Sequence, residues 1–115
     1  MESLLKVMLL GSSGGIGSAF MNILAQNDIS NSIIPHGTKL VLVDRCKDIV
    51  VSDQLKKKYA VSFISDVNIS SHSDLEKLLI EHQINVLIEV ADIETIEFVR
   101  VCTSLGVLYL NSGYG

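Results

Sequence analysis

The seven residues Gly11-Ser12-Ser13-Gly14-Gly15-Ile16-Gly17 constrain this chain more than any others. They follow Lys6-Val7-Met8-Leu9-Leu10, a short apolar run of the kind that forms a parallel strand buried on both faces. After them the period changes. Ile16, Ala19, Phe20, Ile23 and Leu24 fall at i, i+3, i+4, i+7 and i+8, one stripe of a helix. A glycine run between a strand and a helix is where α/β folds hold phosphate.

The run reads both as G-x-x-G-x-x-G (Gly11, Gly14, Gly17) and as G-x-x-x-G-x-G (Gly11, Gly15, Gly17). Gly11 lets the chain turn sharply off the strand. Gly14 or Gly15, lacking Cβ, lets a dinucleotide pyrophosphate reach the backbone. Gly17 lets the helix pack close to the sheet. The helix N-terminus presents N–H groups and a positive dipole end, so no lysine is needed to hold the anion. The Ser12 and Ser13 hydroxyls are placed to touch phosphate, and the whole run, Ile16 included, is a candidate cradle. There is no Gly-Lys-Ser/Thr, which argues against a P-loop. The alternative is a glycine-rich turn with no ligand.

The same alternation continues to the C-terminus. Asn27 to Gly37 is polar and reads as a loop. Leu40–Val43, Val61–Ile64, Val86 to Ala91 and Val107–Leu110 read as further strands. Between them lie a weakly helical stretch from Asp48 to Tyr59, with Val51 and Leu55 as its apolar face, and a helix capped by Ser73-x-x-Glu76. That second helix carries Leu75, Leu78, Leu79 and His82 on one face. A further helix from about Ile93 has Ile96, Val99, Val101 and Leu105 as its apolar side and Gly106 as its C-cap. The βαβαβαβαβ order predicts one domain over residues 1–115. Its fold is a three-layer, doubly wound α/β Rossmann fold with a parallel sheet of about five strands, order 3-2-1-4-5.

Candidate ligand residues recur where strands end. Asp44 closes the second strand, where a carboxylate accepts both adenosine ribose hydroxyls and repels a 2′-phosphate, favouring NAD over NADP. It stands 27 residues after Gly17, beyond the usual ~20, and the Asn27–Gly37 loop accounts for the excess. Arg45 beside it is either a solvent-exposed cation or a partner for a 2′-phosphate, which keeps NADP possible. Asp66 and Val67 follow the third strand, as a turn or as groups for the adenine amino group and ring. Ala91 and Asp92 end the fourth strand beside the expected nicotinamide ribose, and Asp92 is equally suited to cap the next helix. Asn111 and Ser112 end the fifth strand on the same edge.

Composition removes other classes. Nine Lys and Arg against thirteen Asp and Glu give a net charge of −4, contrary to nucleic-acid binding. Lys56, Lys57 and Lys58, the basic run, read as a solvated helix face. No apolar run reaches the ~18–20 residues of a membrane span. Glu2 and Lys6 spoil a signal-peptide pattern, so the expected location is cytoplasmic. Cys46 and Cys102, far apart and without C-x-x-C, are expected as free thiols. His36, His72 and His82 have no partners at metal spacing, so no metal site is expected.

The segment from Asn85 to Gly113 resembles the fourth strand, helix and fifth strand of saccharopine dehydrogenase-like enzymes, nearest to their homospermidine synthase branch. Asp92, Cys102 and Leu105-Gly106-x-x-Tyr109 carry the resemblance, together with Gly11, Gly14 and Gly17 and the long stretch before the second strand. Val90 and Asn111 depart from it, since a small polar and an acidic residue are more usual there. The resemblance implies the NAD(P)-binding half of an oxidoreductase exchanging hydride at a carbon–nitrogen bond of an amino acid or polyamine. Catalytic groups would then come from a substrate domain or homo-oligomer partner, and this chain alone would bind cofactor without turnover. Short-chain dehydrogenases share the Gly11, Gly15 and Gly17 pattern, but Tyr59 has Phe63, not Lys, four residues on. Two rivals stand beside these readings. One is a domain for another adenosine ligand, such as S-adenosylmethionine. The other is a non-catalytic nucleotide-sensing or interaction module, to which a mean hydropathy of +0.41 points.

Overall fold

Every strand in the computed structural model pairs in parallel with its neighbours, in the order β3-β2-β1-β4-β5. The structure describes residues 5–11, 14–26, 34–47, 50–67, 69, 71–90 and 96–111. The strands are β1 (Lys6–Leu10), β2 (Lys39–Val43), β3 (Ala60–Ile64), β4 (Val86–Glu89) and β5 (Leu108–Asn111). The helices are α1 (Gly15–Gln26), α2 (Asp53–Lys58), α3 (His72–Glu81) and α4 (Ile96–Leu105). This is the doubly wound α/β topology that the alternating pattern predicts.

Two cores flank the sheet. On one face Val7, Leu9, Leu40 and Leu42 pack with Met21 and Leu24 of α1 and Leu55 of α2. On the other Met8, Leu10, Val41, Val43 and Leu87 pack with Leu75 and Leu79 of α3 and Phe98, Val101 and Cys102 of α4. β1 and β2 feed both cores, so alternate residues must all be apolar, which explains their continuous runs.

Three local expectations need correction. In α1 the face on the sheet is Gly17, Met21, Leu24 and Ala25, and Ala19 and Ile23 are exposed. Gly17, the smallest residue, turns inward and carries Met21 and Leu24 with it. In α3 the N-cap is Ser71, whose Oγ accepts from the Asp74 amide at 3.3 Å, so Ser73 lies inside the helix. In α4 the buried face is Phe98, Val101 and Cys102, with Ile96 62% exposed and Val99 and Leu105 also outward.

The helix ends have local causes. Ser52 caps α2 by accepting from the Leu55 amide at 3.2 Å. α4 stops at Gly106, φ +73°, with Gly106 N–H on Thr103 O at 3.2 Å and Val107 N–H on Cys102 O at 2.8 Å. That pair of bonds is a Schellman motif. α3 ends the same way with Gln83 at φ +55°, bonded to Ile80 O while Ile84 bonds to Leu79 O. The Lys58 ammonium donates to Ala25 O in the last turn of α1.

Candidate functional site

At the C-terminal ends of the strands, register pairing sets Ile64, Val43, Leu10, Glu89 and Asn111 side by side as one last rung. The order in which strands are added reverses between β1 and β4, and ligands of doubly wound sheets bind outside the strand ends at that point. The residues just past the rung are therefore the candidate site.

Gly11 comes first. Its φ of +93° is a conformation that L side chains rarely adopt. Its N–H donates to Val43 O at 2.8 Å, tying the turn to β2, and its carbonyl accepts from the Gly14 amide at 3.2 Å. Gly14 O accepts from the Ser18 amide at 2.8 Å, which makes Gly14 the N-cap of α1. α2 and α3 use serine side chains as caps, whereas Gly14 supplies none, and the first turn of α1 holds no acidic residue.

Nothing among the described residues calls for glycine at position 14. Its φ lies outside the left-handed region, it is exposed, and an added Cβ would sit 3.5 Å from Gly11 O, an ordinary contact. Gly14 is exposed and adds no side chain at the start of α1. A glycine at a helix start suits a pyrophosphate, which needs close backbone approach and positive partial charge.

Asp44 follows β2. Its N–H donates to Ile64 O at 3.1 Å, and its carbonyl accepts from the Val67 amide at 3.1 Å. Its Oδ1 accepts from the Cys46 amide at 2.8 Å, and Cys46 O accepts from the Asp66 amide at 2.9 Å. Asp66 has φ +59°, a conformation that Asp tolerates better than most residues. The loops after β2 and β3 are thus laced together, bringing Asp44, Arg45, Asp66 and Val67 into one cluster. Asp44 and Val67 are half-buried, and Arg45 and Asp66 are exposed. Val67 also opens onto a shallow groove lined by Asp74, Lys77, Leu78 and Glu81 of α3.

Across the sheet, Val90 N–H donates to Leu10 O at 2.9 Å. Ser12, Ser13, Ala91, Asp92 and Ser112 lie outside the described residues, and Gly15 and Ile16 are described as helix backbone only. Among the described residues, no group of three or more His, Cys, Asp or Glu side chains could hold a metal ion. No helix among them is long and apolar enough to cross a membrane.

One pair escaped the sequence reading. Glu89, 2% exposed, accepts from the Tyr109 hydroxyl at Oε1, at 3.1 Å. Burial is the main cause that holds the Tyr109 phenol well above its ordinary pKa; the Glu89 carboxylate adds to this and a hydrogen bond with Asn111 opposes it. A lone acid inside the apolar run Val86 to Ala91 was the available signal. On α4, burial raises the Cys102 thiol to about 11, which keeps it protonated and unreactive.

Residues 7–114 match the family model described as the saccharopine dehydrogenase NADP binding domain. The chain belongs to that family. No curated protein matches it. As a saccharopine dehydrogenase NADP-binding domain, it is a nicotinamide dinucleotide-binding domain of an oxidoreductase family. The sheet order and the glycine turn at the end of β1 are what that chemistry requires.

Proposed function

We propose that this saccharopine dehydrogenase NADP-binding domain takes NAD and presents its nicotinamide for hydride exchange at a carbon–nitrogen bond of an amino acid or polyamine. The reaction is that of the homospermidine synthase branch, which Asp92, Cys102 and Leu105-Gly106-x-x-Tyr109 resemble. When bound, the dinucleotide supplies the hydride acceptor or donor, and the chain supplies binding and orientation. Gly11, Ser12, Ser13, Gly14, Gly15, Ile16 and Gly17 hold the pyrophosphate. Asp44 holds the adenosine ribose, Asp66 and Val67 the adenine, and Ala91 and Asp92 the nicotinamide ribose.

The observation that carries the NAD preference is the carboxylate of Asp44, oriented by the Cys46 amide at 2.8 Å beside the Gly11 turn. A carboxylate there accepts ribose hydroxyls and repels a 2′-phosphate. Substrate groups come from a further domain or a second subunit. Leu108 and Leu110, 58% and 48% exposed on one face of β5, support a partner surface there. Cys46 and Cys102 are free thiols, in keeping with a cytoplasmic setting.

Calorimetric titration with NAD and, separately, NADP tests the reading. Saturable NAD binding that Asp44→Ala weakens supports it. Tighter NADP binding transfers the selective role to the exposed Arg45. If neither ligand binds at millimolar concentration, the cofactor reading of this chain fails.

A further inference from the structure

Glu89 is the last residue of β4, and its side chain is buried on the α3–α4 face of the sheet. Register pairs it with Leu10, one residue before the glycine turn, on one side and with Asn111 on the other. It therefore stands at the strand-order reversal, beneath the crevice where the dinucleotide is proposed to lie. Tyr109, two residues below Asn111 on β5, reaches up to Glu89 Oε1 at 3.1 Å and holds the carboxylate in the rung.

A carboxylate taken out of water at a sheet centre is costly unless it is hydrogen-bonded, and sites of function are where such groups gather. Its field in the low-dielectric interior is screened far less than in water. The two redox forms of nicotinamide differ in charge: the oxidised ring is a cation and the reduced ring is neutral. A fixed negative group beside the crevice distinguishes them without touching either.

We propose that the buried carboxylate of Glu89 biases the bound nicotinamide dinucleotide toward its oxidised form. The inference rests on the dinucleotide reading given above and adds a role for a residue outside the cradle. Glu89 acts by charge, through the protein, without touching the ligand.

The test is the ratio of dissociation constants for the reduced and oxidised forms of one dinucleotide, measured by calorimetry on the full chain. The wild type is expected to bind NAD+ more tightly than NADH. Glu89→Gln keeps the shape, removes the charge, and should lower that ratio about tenfold, or about 1.4 kcal/mol. Tyr109→Phe breaks the same hydrogen bond but keeps the carboxylate, and should leave the ratio within about threefold of wild type. A ratio unchanged in Glu89→Gln, or lowered equally in both variants, overturns the charge mechanism while leaving the cofactor reading intact. A wild type that prefers NADH overturns it even if Glu89→Gln does not fold. Failure of the wild type to bind either form overturns the cofactor reading itself, and this inference with it.

Discussion

The amide of Cys46 donates to Oδ1 of Asp44 at 2.8 Å, so the loop after β2 orients the carboxylate that ends the strand. If that carboxylate accepts ribose hydroxyls, Asp44→Ala loses charge-assisted hydrogen bonds worth roughly 1.5–3 kcal/mol. NAD affinity should fall by about 10- to 100-fold. NADP should lose far less, because a repulsion is removed together with the acceptor. Paired titrations of wild type and variant measure both changes.

Gly14 separates stability from binding. A serine there has room, since an added Cβ lies 3.5 Å from Gly11 O, and serine is a better N-cap than glycine by a few tenths of a kcal/mol. Gly14→Ser is therefore expected to unfold at equal or slightly higher denaturant concentration. It should nevertheless weaken dinucleotide binding, because its side chain occupies the approach to the first turn of α1. Urea denaturation and calorimetry on the same preparation check the two halves.

The ends of α3 and α4 form a natural comparison. Gly106 and Gln83 hold the same left-handed position, at φ +73° and +55°. Gly106→Ala should cost about 1 kcal/mol, through backbone conformation alone, because no described residue lies within 4 Å of the added Cβ. Gln83→Gly should gain somewhat less than about 1 kcal/mol, since it also loses the exposed bond from Lys6. Shifts of opposite sign in the urea midpoint are expected.

Cys102 predicts an alkaline loss of stability. Its thiol is raised by burial from 9.0 to about 11 in the folded chain. Between those values the unfolded chain has released the proton and the folded chain retains it, so stability falls as pH rises. The contribution is complete below pH 9.0 and gone above about 11. Tyr109, also raised chiefly by burial, acts with the same sign at higher pH. Cys102→Ala should flatten the first part of the decline in unfolding free energy. At neutral pH, a thiol reagent should label Cys46, which is exposed, and spare buried Cys102.

Strands were legible where both faces are buried. The run Lys6–Leu10 matches β1 residue for residue, and β2 gains only Lys39. The turn at Gly11 and the cap at Gly106 were legible because only glycine adopts those dihedrals cheaply. Helix faces were not. α1 carries Phe20, Met21, Ile23, Leu24 and Ala25 in succession around Asn22, so two overlapping stripes compete and only contact with the sheet chooses between them. Ser71 and Ser73 each stand three residues before an acid, so their spacing alone could not pick the cap of α3. In the candidate site, Asp44, Arg45, Asp66 and Val67 were each visible as strand ends, but their mutual lacing runs through backbone atoms and leaves no trace in residue type. The burial of Glu89 is not legible in sequence, because an acid that closes an apolar strand is equally suited to face solvent at the strand end.

That lacing bears on how such a domain diversifies. The loops after β2 and β3 are joined by main-chain bonds from Asp44, Asp66 and Val67, which depend little on the side chains those positions carry. Arg45, beside this frame, is exposed. Residues beside Asp44 can therefore be exchanged without loosening the frame that joins the two loops. The two loops would thus keep their mutual placement through changes of side chain that leave these three amides and carbonyls intact.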